Sequence, residues 1–101
     1  MANDVKVKAF PIMLDKERTI CYDLNAFVAL EGKFGSLQET VNALNVKSIG
    51  VLRTFLWAGL LHEDETLTEK DVGKLLTVQN MVEFSETLLT AVSESLPTAK
   101  N

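Results

Sequence analysis

An almost uniformly apolar helix near the middle of the chain is the feature that most constrains its fold. Between Ile49 and Leu61 apolar side chains occur on nearly every side of a helical projection, and Arg53 is the one charged residue. A helix with this pattern is normally buried at the centre of its domain. The run is too short to span a bilayer, which takes about 20 residues. We therefore expect a helix over residues 49–61 to form the core around which the other elements pack.

Composition narrows the classes of function. The 101 residues suffice for one domain, and 47% of them are hydrophobic, which is typical of a globular protein. The net charge of −4 is uneven, since residues 62–101 sum to −5 and residues 1–61 to +1. An acidic half repels phosphate backbones, which argues against nucleic-acid binding. Cys21 is the single cysteine and the N-terminal residues show no apolar signal core, so we expect a cytosolic protein with no membrane segment.

The first part of the chain has the pattern of a β-hairpin over residues 5–22. Apolar and polar residues alternate with period two from Val5 to Phe10, and apolar positions continue beyond Pro11. A polar turn over residues 15–17 leads into the second strand. Because proline cannot donate to a strand ladder, we expect Pro11 on an edge strand or at a bulge. An exposed strand edge would be a natural place for self-association.

From Asp23 onward the hydrophobic period becomes helical, and the chain carries residues that favour helix starts. Asp23, Ser48 and Thr68 stand at N-cap positions, and Ser36 with Glu39 forms a capping-box pattern. The sequence predicts one domain of the mostly α (α+β) class, in which an N-terminal β-hairpin precedes four to five helices around the central apolar helix. The predicted helices cover residues 24–34, 37–44, 49–61, 69–76 and 79–96, and a short polar tail covers residues 97–101.

The apolar positions and glycines of the first and third helices predict how these helices pack. In the third helix, Gly50 and Gly59 each cost about 0.5–1 kcal/mol relative to alanine. We expect close packing to be the reason for both glycines. On the first helix, one broad apolar face is formed by Leu24, Phe27, Val28, Leu30 and Phe34.

The segment His62–Glu65 is the one cluster that could suggest a metal site or acid–base catalysis. The chain has a single histidine and no second ligand at helical spacing. We interpret these acids as a solvated loop after the helix, with His62 as a C-terminal cap. Cys21 has no basic neighbour to stabilise a thiolate, so we interpret it as a small buried side chain. The sequence predicts no catalytic residue, no metal site and no cofactor, and hence a protein that is not an enzyme.

Two features could form a protein-binding surface. Trp57 follows Arg53 by one turn, and the sequence leaves open whether it stacks on Arg53 in the core or is exposed and anchors a partner. The helix over residues 79–96 has apolar coverage wider than packing on one neighbour requires, which indicates either burial between several elements or an interface. The candidate partner-binding residues are Trp57, Met81, Val82, Phe84, Leu88, Leu89 and Val92.

Two groups of residues resemble a known family. The first group is Tyr22-Asp23-Leu24-Asn25-Ala26, followed by Glu31 and Phe34-Gly35-Ser36. The second group is Leu56-Trp57-Ala58-Gly59-Leu60, followed by His62-Glu63-Asp64, Leu67-Thr68 and Val72-Gly73. In their order and spacing they resemble the small tail assembly chaperones of long-tailed, siphovirus-like bacteriophages and gene transfer agents. The resemblance covers about residues 5–96.

This resemblance implies a non-enzymatic protein of the host cytoplasm that assists assembly and is not part of the virion. Family members bind the tape measure protein, keep its hydrophobic helices soluble, help to recruit tail tube protein and tend to self-associate. No family motif assigns individual contacts, so the candidate residues above rest on the sequence pattern alone. The alternatives are a structural virion component, such as a tail-completion subunit, and a small regulatory module that binds a host protein.

Overall fold

The computed structural model describes residues 8–46 and 48–95, and it has the α+β fold that the sequence predicts. An N-terminal β-hairpin is followed by five helices. The strands are β1 (Ala9–Met13) and β2 (Glu17–Cys21). The predicted strand start at residues 5–7 and the predicted helix end and tail at residues 96–101 lie outside the described residues. The helices are α1 (Leu24–Phe34), α2 (Leu37–Val46), α3 (Ile49–Leu60), α4 (Glu69–Gly73) and α5 (Val78–Ser95).

The two strands pair antiparallel, in continuous register over all five residues of each strand. Pro11 lies opposite Thr19 in the middle of this ladder. The N–H and C=O of Thr19 bond to side chains of the loop after α3, so the Pro11–Thr19 pair is a non-hydrogen-bonded one. The missing N–H of proline therefore costs the ladder no bond. This confirms the prediction of an edge strand at Pro11, and the register needs no bulge there.

Local capping interactions set the starts of three helices, as predicted. Asp23 and Ser48 accept hydrogen bonds from backbone N–H groups in the first turns of α1 and α3, at 2.9 and 3.2 Å. Thr68 and Asp71 form a reciprocal capping box at the start of α4, with both bonds at 3.1 Å. Gly35 ends α1 at a φ of 110°, a backbone conformation that favours glycine.

The boundary between α4 and α5 differs from the prediction. α4 ends at Gly73, short of residue 76, because the next two N–H groups bond to carbonyls three residues back in a tight turn. Thr77 then caps α5. Its hydroxyl accepts from the N–H of Asn80 at 3.1 Å, and the Asn80 side chain accepts from the N–H of Thr77 at 2.8 Å. As a result α5 begins at Val78, before the predicted residue 79.

Two other helix ends move by a short distance. α2 continues to Val46, beyond the predicted end at Leu44, because neither glycine nor proline follows Leu44 directly. α3 ends at Leu60 because the N–H of Leu61 bonds to the carbonyl of Ala58, three residues back. Such shifts are common at helix ends and leave the core as predicted.

α3 is the centre of the core, as the sequence predicts. It packs against β2 and against α1, α2, α4 and α5. Its side chains Phe55, Leu56 and Leu60 have no exposed surface. Removing this apolar surface from water is the main source of stability for such a domain. The other elements contribute the remaining core residues, which include Ile12, Ile20, Tyr22, Ala26, Leu30, Leu44, Val72, Phe84, Leu88, Ala91 and Val92.

Tyr22 joins the hairpin to α3 through a close contact. Its ring is buried, and its hydroxyl donates to the carbonyl oxygen of Phe55 at 2.6 Å. Burial raises the pKa of this phenol well above its ordinary value. A Cβ added to Gly59 would lie 2.9 Å from the Tyr22 ring, which confirms close packing at Gly59. Close packing is wrong for Gly50, where an added Cβ would meet nothing within 4 Å.

α1 buries a narrower face than its apolar pattern suggests. Ala26 and Leu30 are buried against the core. Leu24 and Val28, which belong to the same predicted apolar face, are 78% and 59% exposed. The apolar pattern therefore extends beyond the area that the neighbouring helices cover, and it leaves apolar side chains on the surface.

Candidate protein-binding surfaces

The loop after α3 closes the free edge of β2. Glu63 Oε2 accepts hydrogen bonds from the backbone N–H of Thr19 at 2.9 Å and from the Thr19 hydroxyl at 2.7 Å. His62 Nε2 donates to the carbonyl oxygen of Thr19 at 2.9 Å, since a carbonyl oxygen can only accept. Both outward-facing backbone groups at the middle of β2 therefore have partners. This arrangement blocks the position at which another strand would pair.

The charged side chains around this loop stabilise one another. Arg18 donates to both carboxylate oxygens of Asp15, at 2.7 and 3.0 Å, and its guanidinium lies 3.9 Å from Glu63. The hydrogen bond from Arg18 lowers the pKa of Asp15 to about 2. Burial alone would raise the pKa of Glu63. The hydrogen bonds from Thr19 and the nearby positive charges outweigh burial, so the pKa of Glu63 is lower than its ordinary value.

The prediction of a loop at His62–Glu65 is confirmed, because residues 61–66 form turns after α3. Asp64 accepts hydrogen bonds from the hydroxyl and N–H of Thr66 at 2.6 and 3.0 Å, which lowers the pKa of Asp64. His62 bonds to β2 and not to the end of α3, so its expected role as a helix cap is wrong. Cys21 is buried, as expected, and burial raises the pKa of its thiol. Within residues 8–46 and 48–95, no three His, Cys, Asp or Glu side chains are grouped to hold a metal ion.

Trp57 lies between the core and the surface. It is half-buried, and its Nε1 donates to the carbonyl oxygen of Leu67 at 2.9 Å. The cation over the indole is Lys33, whose Nζ lies 5.1 Å from the ring centroid, within cation–π range. Arg53, the neighbour expected from the sequence, instead lies 3.8 Å from Glu69 in an ion pair. Trp57 is thus neither a core residue stacked on Arg53 nor a fully exposed anchor.

The pocket beside Trp57 has a volume of about 460 Å³ and brings together residues of the two sequence motifs. Its walls come from the start of α1 and from the end of α3 with the loop that follows. Polar groups on these walls already serve the fold, since Asp23 caps α1 and His62 bonds to β2. Because the Asp23 and His62 side chains already have hydrogen-bond partners in the fold, a structural role is favoured for them over acid–base chemistry. The lining residues are Asp23, Asn25, Ala26, Ala29, Trp57, Leu61, His62 and Glu65.

The candidate residues on α5 fall into two groups. Phe84, Leu88 and Val92 are 0%, 1% and 3% exposed, so they belong to the hydrophobic core. Val82 and Leu89 are 66% and 38% exposed and form a stripe on the solvent side of the helix. Of the two interpretations that the sequence left open, burial between several elements therefore applies to one face of α5. A narrower apolar stripe remains on the surface, as an interface would require.

Two residues outside the predicted set extend this exposed stripe. Val78, in the first turn of α5, is 82% exposed, and Ile49, at the start of α3, is 69% exposed. Both line a cleft of about 240 Å³ together with Met81, which is partly buried against the core. The capping pair Thr77–Asn80 is the sequence signal that would have placed Val78 on the helix. We define the α5 surface as Ile49, Val78, Val82 and Leu89.

A second exposed apolar area lies on α1 and α2, and we define this α1–α2 surface as Leu24, Val28 and Leu37. Their side chains are 78%, 59% and 46% exposed. Together with Phe27 and Glu31 they line a shallow groove of about 150 Å³. Clustered exposed apolar side chains of this kind are typical of interaction sites.

No protein-family model, curated protein or solved structure matches this chain. In the part of the chain that the structure describes, none of the helices combines the length and the apolar character needed to cross a membrane. The features of this chain that bear on its function are the two exposed apolar surfaces and the two motifs that meet beside Trp57.

Proposed function

We propose that this protein is a tail assembly chaperone of a long-tailed bacteriophage that acts in the host cytoplasm. In this role it binds the tape measure protein, keeps it soluble and helps to recruit tail tube protein. The two motifs that resemble this family support the proposal, because they form one packing unit in the fold. Tyr22 lies against Gly59, and Asp23 and Trp57 line the same pocket.

The observation that carries the proposal is the apolar surface that this acidic domain exposes on its helices. Ile49, Val78 and Val82 on the α5 surface are each more than half exposed, as are Leu24 and Val28 on the α1–α2 surface. A chaperone for a helical protein needs such surfaces to cover the apolar faces of its partner. A net charge of −4 helps to keep the complex dispersed.

The closed edge of β2 agrees with the same role. An open strand edge pairs with almost any extended chain, which is hazardous for a protein that handles an aggregation-prone partner. The bonds from Glu63 and His62 to Thr19 remove that hazard at the middle of β2. Self-association, which the family resemblance implies, is therefore expected through the exposed helix surfaces and not through the middle of β2.

Co-expression with the tape measure protein encoded in the same genome tests this proposal. We expect the soluble fraction of the tape measure protein to rise severalfold and the two proteins to co-purify. A variant that carries Leu24→Asp and Val82→Asp is the matched control, because it places a charge on both exposed surfaces and should lose the effect. An unchanged solubility of the tape measure protein in the presence of the wild-type protein would refute the proposal.

Mass spectrometry of purified phage particles separates this function from a structural role in the virion. A chaperone that acts only during assembly should be absent from the finished particles. Recovery of this protein at the stoichiometry of a tail component would instead support the structural alternative.

A further inference from the structure

The acidic side chains of α5 lie beside its exposed apolar stripe. Successive residues of a helix are about 100° apart, so Glu86 follows Val82 and Leu89 around the helix and Glu83 comes next. Both glutamates are exposed. The whole of α5 carries Glu83, Glu86 and Glu94 and contains no lysine or arginine. The α5 surface thus has an acidic margin along one side.

The charge of this margin is not compensated within the part of the domain that the structure describes. Among residues 8–46 and 48–95, no ion pair engages Glu83 or Glu86, whereas Glu94 lies 4.0 Å from Lys8. At the opposite side of the surface, Arg53 borders the cleft but lies 3.8 Å from Glu69, which offsets its charge. An apolar stripe with one acidic margin is complementary to an apolar stripe with a basic margin.

We propose that the α5 surface binds one amphipathic helix of a partner protein, in which lysine or arginine residues flank the apolar stripe on the side that meets Glu83 and Glu86. The apolar side chains Val78, Val82 and Leu89 supply the contact area, and the glutamates fix the orientation of the partner helix. This inference rests on the proposed function in one respect, which is that the tape measure protein supplies the partner helix.

A second copy of this chain fits the α5 surface less well. Packing α5 against α5 would bring the glutamates of two copies close together, and the helix offers no base to offset them. Like charges brought together at an interface disfavour that pairing. The charge pattern therefore selects a basic helix over a second α5.

Two synthetic peptides that differ only in charge test the proposal. Each has the length of α5, 18 residues, and the same leucine and alanine stripe, with lysines flanking it in one peptide and glutamates in the other. Binding to the full-length protein is measured by fluorescence anisotropy of a label on the peptide. We expect the lysine peptide to bind about tenfold more tightly, with an affinity that falls as salt is added. Equal binding of the two peptides would overturn the proposal.

Three variants locate the binding site. The double variant Glu83→Lys, Glu86→Lys should reverse the preference in favour of the glutamate peptide, because it inverts the acidic margin. Val82→Asp should weaken binding of the lysine peptide about tenfold. Gln38→Asp, a charge placed at an exposed residue of α2 outside both apolar surfaces, is the matched control and should leave binding unchanged. Normal binding of the lysine peptide by a folded Val82→Asp variant would place the site elsewhere and overturn the proposal.

Circular dichroism checks that each variant is folded. If Val82→Asp fails to fold, the charge-reversal variant still decides, because a retained preference for the lysine peptide would refute the role of Glu83 and Glu86.

The co-expression assay separates this inference from the proposed function. If Val82→Asp keeps the tape measure protein as soluble as the wild type does, the inference fails and the function stands. If the wild type binds the lysine peptide but leaves the tape measure protein insoluble, the function fails and the α5 site stands.

Discussion

The hairpin and α5 differ in whether their outward-facing groups have partners within the domain. At the middle of the hairpin, the outward backbone groups of Thr19 are bonded to Glu63 and His62, and Pro11 on the other strand has no N–H to offer. On α5, in contrast, Val78 and Val82 remain 82% and 66% exposed. The domain thus blocks the middle of the hairpin against a further strand and leaves open the surfaces where a helix could pack.

This difference determines which kind of partner the domain can select. A strand edge binds through backbone hydrogen bonds, which every extended chain can make, so an open edge discriminates little. A helix surface binds through side chains, whose spacing and charge differ from one partner to another. Closing the edge while exposing the helices therefore favours selective binding of helical partners over indiscriminate strand pairing.

The largest expected effect comes from breaking the contact that holds the hairpin on α3. Gly59→Ala should lower the free energy of unfolding by about 1–3 kcal/mol, because the added Cβ would lie 2.9 Å from the buried Tyr22 ring. Gly32→Ala is the matched control, since a Cβ there meets nothing within 4 Å. The control should gain up to about 1 kcal/mol from the higher helix propensity of alanine. Urea unfolding measures both, and equal stability of the two variants would contradict the close contact.

Opening the closed edge should have the next largest effect. Glu63→Ala removes both hydrogen bonds to Thr19 and should cost about 1 kcal/mol. It should also cause association that increases with protein concentration, because the freed edge can pair with another strand. Glu65→Ala, a change to an exposed acid in the same loop, is the control and should do neither. Analytical ultracentrifugation would count against edge closure if Glu63→Ala stayed as monodisperse as the control.

Acid should lower the free energy of unfolding by a smaller amount, because it weakens the interactions of Glu63 and Asp15 at the hairpin. The folded state lowers the pKa of Glu63 and Asp15, so their contribution to stability is fully present above the unfolded pKa and is lost as the pH falls through the folded pKa. We expect the free energy of unfolding to decrease from about pH 4.5 down to about pH 2. Glu63→Gln should flatten this decrease, because it cannot titrate. An identical pH profile in Glu63→Gln would show that Glu63 does not contribute.

The parts of the fold that depend on local chemistry could be predicted from the sequence. Asp23, Ser48 and Thr68 begin helices as expected, because a cap bonds to a backbone group only a few residues away. The central position of α3 could be predicted because a helix that is apolar on nearly every side has to be surrounded. The same local chemistry, with Thr77 and Asn80 as the pair, would also have given the true start of α5.

The parts that depend on long-range packing could not be predicted. His62 bonds to Thr19, a residue 43 positions earlier in the chain, and no local pattern indicates that contact. The apolar period of α1 gives the width of its face but not the part that other elements cover, so Leu24 and Leu30 look alike in sequence although one is exposed and the other buried. The same limit explains why the sequence grouped buried Phe84 with exposed Val82 as candidate contacts.

The smallest effect on stability is expected from charging the open helix surfaces. Leu24→Asp and Val82→Asp change side chains that are 78% and 66% exposed, so each should alter the free energy of unfolding by no more than about 0.5 kcal/mol. If the apolar stripes served stability, removing them would cost as much as Glu63→Ala does. Urea unfolding under identical conditions decides between the two. A loss as large as that of Glu63→Ala would assign these side chains to folding, whereas near-neutral values would show that folding does not require them.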